Sequence, residues 1–342
     1  MGAKSAMTAR RILVVLALAL HGMLAGRDVT AQPAASLVLE RTIPLKGVSG
    51  RIDHMAVDLA RKRLFVAELG NGTVDAVDLS TGSVIRRIEH LRDPQGVGYA
   101  PGADVLAVAS AGDGSVRFFR GAELTPTGTV ELDDDADNVR IDAGSGHFVV
   151  GYGSGGLAVI DPVKAVLVRR IPLPAHPEGF QLDPSTHRAF VNLPDARQIA
   201  VVDMGLRQQT AAWRSPELRS NFPMALDAAR GVVAVVFRTP ARLVAFDANS
   251  GRTISAMPSC GDADDIFFDA KRHRAYVSCG DGSVDAWQED GKGYRRLSSL
   301  KTASGARTSL FVPELDQLFV AARAGFLGLG GDAAILVLRP ID

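Results

Sequence analysis

A short apolar strand returns at a nearly fixed interval along this chain, and no other feature limits its fold as much. His54-Met55-Ala56-Val57-Asp58 is followed by counterparts beginning at Gly96, Asn138, Gly179, Pro223, Asp265 and Thr308. Successive starts lie 42, 42, 41, 44, 42 and 43 residues apart. A supersecondary unit repeated at such a period cannot bury its apolar face alone and must pack on its neighbours.

Each copy has the same internal order. A polar turn such as Leu59-Ala60-Arg61-Lys62 follows the first strand, and a β-branched and aromatic run follows the turn. Leu64-Phe65-Val66-Ala67, Ala189-Phe190-Val191-Asn192, Ala275-Tyr276-Val277-Ser278 and Leu318-Phe319-Val320-Ala321 are examples. Gly70-Asn71-Gly72, Gly112-Asp113-Gly114 and Gly280-Asp281-Gly282 then supply residues that tolerate positive φ in tight hairpins. A third run often ends in Asp, as in Val74-Asp75-Ala76-Val77-Asp78, and a fourth reads Val84-Ile85-Arg86-Arg87-Ile88. Short or alternating apolar runs bounded by turn residues are strands, and no 3.6-residue stripe persists over three turns.

Four strands per repeat, arranged radially, predict an all-β, seven-bladed β-propeller with blades starting near residues 54, 96, 138, 179, 223, 265 and 308. The seventh copy has only three strands, the last over Ala333 to Leu338. The unassigned segment 37–45 is the predicted fourth strand, which would close the ring and remove an exposed edge. A linear solenoid would want capping repeats, and neither end of the chain reads as one.

Leu64 to Ile88, LFVAELGNGTVDAVDLSTGSVIRRI, resembles the YVTN-type (YncE-like) β-propeller repeat. Copies 1, 4 and 6 match best and copies 2, 5 and 7 are degenerate. The resemblance spans roughly residues 36–342 and implies an exported seven-bladed propeller, periplasmic or secreted. It implies little about activity, because fold-level likeness does not carry function. Trp-Asp repeat ends of the WD40 type are missing.

The N-terminus fits export. Arg10 and Arg11 precede the apolar run Ile12–Leu20, and Val29-Thr30-Ala31 places small residues before Gln32. This is the order of a secretory signal, so residues 1–31 are expected to be removed, leaving 32–342 as one propeller domain. The run is too short to span a bilayer, and no later stretch could do so, so no integral membrane segment is expected after signal removal. The whole chain balances 38 Lys+Arg against 38 Asp+Glu. It therefore lacks the basic excess a nucleic-acid partner requires. A monomer is expected.

Propeller geometry also points to a candidate site. The residues at the start of each innermost strand crowd the mouth of the central channel. In order they are Asp53-His54, Gln95-Gly96, Asp137-Asn138, Glu178-Gly179, Phe222-Pro223, Asp264-Asp265 and Arg307-Thr308. Asp53, His54, Gln95, Asp137, Asn138, Glu178, Asp264, Asp265 and Arg307 are accordingly the ligand-binding candidates, since convergent polar groups in a concavity mark a site. Solvated channel walls and simple ion pairs around Arg307 are the competing reading. Asp264 and Asp265 are expected to lie off the apolar strand faces, so that replacing both would spare the fold.

Other motifs exclude more than they assign. Asp133-Asp134-Asp135-Ala136-Asp137-Asn138 lacks the Gly and Glu of an EF-hand loop and reads as an acidic inter-blade loop. Gly151-Tyr152-Gly153-Ser154-Gly155-Gly156 joins two predicted strands with no helix after it, so a dinucleotide fold fails. No G-x-S-x-G, H-E-x-x-H, C-x-x-C or C-x-x-C-H occurs. The hairpin at Ala270–His273 sets Cys279 opposite roughly Asp264, so Cys260 must fold back a few residues to form an expected Cys260–Cys279 disulfide.

Two functions fit these residues. One is an exported binding module that holds a small polar ligand or a protein partner at the channel mouth. The alternative is a metal-assisted hydrolase or lyase, lactonase-like, in which a carboxylate-held divalent cation polarises a carbonyl and His54 is the base. The residues identify neither the cofactor, for which a divalent cation is the candidate, nor the ligand.

Overall fold

The aspartates that end the strands explain why the repeat folds as it does. Asp78, Asp161, Asp203 and Asp247 each close a third strand, and each Oδ1 accepts the backbone N–H groups two and three residues on. The distances for Asp203 are 2.8 Å to Gly205 N and 2.8 Å to Leu206 N, and those for Asp161 are 2.9 and 3.1 Å. A carboxylate in this place satisfies donors that the chain reversal would otherwise leave open. The first strands end similarly. Asp58 accepts Arg61 N at 3.1 Å and pairs with Arg63 at 3.0 Å.

The computed structural model describes residues 35–291, 293–325 and 332–342, and the expected signal, residues 1–31, lies outside them. These residues form seven four-stranded antiparallel sheets, the blades of a β-propeller. Blade 1 comprises Met55–Asp58, Arg63–Glu68, Thr73–Asp78 and Ser83–Ile88. Only two short 3-10 turns, Leu69–Asn71 and Pro313–Leu315, interrupt the all-β pattern among the described residues. No helix there is long and apolar enough to cross a membrane.

The second and third strands of a blade lie between neighbouring blades and are buried on both faces, as Leu64, Phe65, Val66 and Ala67 show at 0% exposure. Fourth strands form the rim and carry the charged residues, as in Ser83–Ile88. Aromatic pairs join successive blades: Phe65–Tyr99 at 5.7 Å, Phe118–Phe148 at 6.1 Å and Tyr276–Phe311 at 5.4 Å between centroids. Offset or tilted rings at such distances add to the burial of their area.

Blade 7 is built from both ends of the described chain. Leu37–Leu45 pairs antiparallel with Ala333–Pro340, from Leu37 opposite Pro340 to Leu45 opposite Ala333. Ile43 and Leu45 reach the core shared with blade 1, where Val48, Leu64 and Val77 meet them.

Two sequence expectations shift in detail. The innermost strands of blades 2, 5 and 6 begin earlier than expected, at Pro94, Arg219 and Ala263. Pairing there continues across an extra residue instead of starting after it. For the same reason Cys279 lies opposite Ala263, not Asp264. Cys260 and Cys279 form a disulfide with Cα atoms 6.0 Å apart, buried beside Ala263 and Trp287.

Ile43→Ala should destabilise the whole propeller by about 3 kcal/mol, because it opens a cavity in the closing strand. Urea unfolding followed by tryptophan fluorescence measures this, and a change under 1 kcal/mol would show that closure contributes little. Replacing both Cys260 and Cys279 with Ser should cost about 3 kcal/mol in the chain-entropy account of a loop of this length. Equal midpoints for oxidised wild type and the variant would contradict it.

Candidate functional site at the channel mouth

The two-residue column read from the sequence is a repeated β-bulge. In blade 1, Asp53 N donates to Ala67 O at 2.7 Å while Ala67 N donates to His54 O at 3.0 Å. One residue of the second strand thus faces two of the first. Gly151 does the same for Asp137 and Asn138, at 2.9 and 3.0 Å, and Asn192 for Glu178 and Gly179, at 3.0 and 3.1 Å. In blades 2, 5 and 6 the register shifts at Gln95, at Phe222-Pro223 and at Asp264. Bulges bend the strand and re-aim side chains, and here they turn polar residues towards the axis at one end of the channel.

Adjacent blades touch at this level. His54 N donates to Gln95 O at 3.2 Å, and Gly179 N to Phe222 O at 3.1 Å. A side chain at Gly96 would overlap the Asp137 carbonyl, so this position tolerates only glycine. Gln95 therefore contributes a backbone acceptor, and its side chain does not line the mouth cavity. Thr308 turns to Ile52 O at 3.4 Å.

The charges are more balanced than the column alone implied. Arg51, Arg140 and Arg238 join the ring, and none of them belongs to the column. Asp264 is held between two of the cations: Arg238 donates to it, and Arg307 Nε lies 3.0 Å from Oδ2. Asp262 bridges the same pair, 2.7 Å from Arg307 and 3.3 Å from Arg238. Arg238 also stacks 3.8 Å over Phe222. Arg51 pairs with Asp53 at 2.7 Å. Asp265 is buried and accepts Ser309 N at 2.7 Å. Both Asp264 and Asp265 lie inside the strand Ala263–Asp269 and bear structural bonds. The expectation that replacing both would spare the fold is therefore corrected.

Asp137 and Glu178 remain, with no Arg or Lys within ion-pair distance among the described residues. Asp137 is 7% exposed, and its nearest basic neighbour is His54, whose Nε2 is 3.8 Å from Asp137 Oδ1 and 3.8 Å from Asp53 Oδ1. Asp137 Oδ1 and Asn138 Oδ1 are buried without a hydrogen bond. The side chains of Asp53, His54, Asp137, Asn138 and Glu178 share a cavity of about 40 Å³.

Burial, opposed by His54, pushes the Asp137 carboxyl up to about 7. Burial, opposed by His176, pushes Glu178 up to about 7 as well. Burial also raises Asp53, against His54 and Arg51. Unpaired carboxyls in a low-dielectric pocket keep their protons until a cation or a higher pH intervenes. Arg51, Arg140 and Arg238 escaped sequence reasoning. Only Arg140 had a readable signal, because it lies two residues past Asn138 and faces the same side of its strand.

The raised carboxyls imply a pH dependence. Folded Asp137 and Glu178 hold protons that the unfolded chain releases near pH 4, so stability should fall as pH rises from about 4 to about 7. Carboxyls held low by arginine, such as Asp316 beside Arg272, finish titrating below that window. Urea unfolding across about pH 5 to pH 7.5 should show the decline in wild type and a shallower one in Asp137→Asn/Glu178→Gln. Parallel slopes would refute the assignment.

No family model matches the chain, and no curated protein does either. Similar solved structures do exist. A chain of Kuenenia stuttgartiensis hydrazine synthase aligns at a TM-score of 0.73 and 14% identity, covering 86% of this chain and 98% of that one. A chain in a crystal structure of the mitotic checkpoint complex aligns at 0.75 and 13% identity, covering 96% and 99%. At such identities the likeness is one of fold, and it agrees with the seven-bladed β-propeller of this chain.

Proposed function

We propose that this propeller is an exported binding module whose channel mouth receives a compact cationic group, such as a primary ammonium, between Asp137 and Glu178. The observation that carries this reading is the pair of buried acceptors without a hydrogen bond, Asp137 Oδ1 and Asn138 Oδ1, where Asp137 and neighbouring Glu178 have no Arg or Lys partner among the described residues. Leaving such acceptors unsatisfied costs about 1–3 kcal/mol each, and a donor-rich cation would recover that cost. The other carboxylates are committed: Asp264 to Arg238 and Arg307, Asp53 to Arg51, and Asp265 to the Ser309 amide. A cavity of about 40 Å³ suits a few heavy atoms and no larger ligand.

The metal-assisted hydrolase or lyase has weaker support. No three His, Cys, Asp or Glu side chains among the described residues converge as a metal cage. His54 Nε2 stands 3.8 Å from one oxygen each of Asp53 and Asp137. The Arg10-Arg11 and Ile12–Leu20 pattern supports export to the periplasm or beyond, and the match over Leu64–Ile88 supports a place among YVTN-type propellers.

Affinity for a cation should grow with pH as the two carboxyls lose their protons. At pH 8, methylammonium at about a hundred times its Kd should raise the melting temperature by about 4 °C, through binding to the native state alone. The rise should shrink at pH 6 and vanish in Asp137→Asn/Glu178→Gln. Ca²⁺, Mg²⁺, Mn²⁺ and Zn²⁺, added after chelator treatment, form the comparison series. A shift confined to one divalent ion would favour the metal-assisted alternative. No shift with any cation, or an equal one in the double variant, would reject the mouth as a cation site.

A further inference from the structure

One strand period below the mouth, the channel changes character. Residues two positions past the second member of each column face the same way on a pleated strand. They are Ala56, Gly98, Arg140, Gln181, Ala225, Phe267 and Leu310. All but Ala225 line a second cavity of about 370 Å³, roughly nine times the volume of the mouth cavity and within the range of small-molecule sites. Met55, Val57, Val97 and Ile141 extend its apolar wall. His54, Arg140, Gln181, Asp265 and Phe267 border both cavities and separate a polar mouth from an apolar chamber.

Arg140 is the cation of this tier. Its Nε donates to Phe180 O at 3.2 Å and its Nη1 to Val139 O at 2.9 Å. Its guanidinium lies 5.5 Å from the centroid of the Phe180 ring. These contacts fix the fork, and Nη2 makes no hydrogen bond to any described residue. No described carboxylate stands within ion-pair distance of it; Asp265 and Asp137 act on it only from farther away. Asp265 is committed to the Ser309 amide, and burial raises its carboxyl well above the usual range, so it offers Arg140 little negative charge. Arg140 is half-buried; a guanidinium drawn partly out of water without a counter-ion is costly, and a bound anion relieves that cost.

We propose that this chamber binds a small organic anion with an apolar body, a monocarboxylate carrying an aliphatic tail. The carboxylate meets Arg140 and the tail lies against the half-buried Val57, Phe267 and Leu310. Gln181 offers little competition for the anion, because its Nε2 is spent on Met224 O at 2.8 Å. The inference goes beyond the cation reading of the mouth: its ligand has the opposite charge and its apolar contacts lie one tier deeper, with Arg140 on the wall that the two cavities share.

Isothermal titration of the full folded chain at pH 7.5 with sodium acetate, butanoate and hexanoate tests this, with hexylammonium as the control of opposite charge. Affinity should rise about fourfold for each buried methylene, making hexanoate more than a hundredfold tighter than acetate. Arg140→Gln should weaken hexanoate at least tenfold. Arg140→Lys, which keeps the charge but loses the fork, should fall between that variant and wild type. Asp137→Asn/Glu178→Gln should retain hexanoate binding or tighten it, because it removes negative charge near Arg140, and this separates failure here from failure of the mouth reading. Should Arg140→Gln not fold, the chain-length series together with Arg140→Lys decides the question. No hexanoate binding at millimolar concentration, affinity flat across chain length, hexylammonium binding equally well, or wild-type affinity in Arg140→Gln would each overturn the proposal.

Discussion

The antiparallel pairing of Leu37–Leu45 with Ala333–Pro340 ties the ends of the fold together, and the channel depends on it. Each blade holds its neighbours chiefly by side-chain packing, with a few hydrogen bonds between blades, so an unclosed ring would leave two apolar sheet faces open. Backbone pairing across blade 7 converts that weakness into a continuous ladder. Ile43 and Leu45 then fill the core between blades 7 and 1. The axis is fixed once the circle is closed, and the bulged residues of separate blades come to face one another.

The polar mouth is a compromise between burial and charge. Seven strands converge on a narrow axis, and the bulges add one residue each where space is smallest. Arginines from outside the column pair with two of its five carboxylates, Asp53 and Asp264. Asp264 lies between Arg238 and Arg307, and Asp53 lies against Arg51. The arrangement stops short of full pairing at Asp137 and Glu178, whose carboxyls burial raises to about 7. Perturbed, unpaired groups in a concavity are the physical signature of a binding site, whereas fully paired ones are as often structural. One tier deeper, the reverse imbalance leaves Arg140 without a carboxylate partner.

The architecture was legible because it rests on short-range chemistry repeated seven times. Period-2 apolar runs, Gly-Asn-Gly turns and strand-ending aspartates such as Asp78 and Asp203 each act within a few residues, and each copy states them again. The missing fourth strand of blade 7 was legible by the same count. The position of the site column was also legible, since it lies at one end of the innermost strand. What could not be read was which members of the column point into shared space. Gln95 belongs to the column by position and does not line the cavity, while Arg238 belongs to another strand and closes over Asp264.

The sequence by itself determined the strand content, the number of blades, the closing strand and the residues nearest the axis, because strand period and turn chemistry are local. Tertiary structure alone decided the charge balance of the mouth, the freedom of Asp137 and Glu178, and the separation of a polar cavity from an apolar chamber around Arg140. Those features depend on distances of a few ångströms between side chains far apart in sequence. Coulombic and desolvation energies vary steeply over such distances, and only the closed ring sets them.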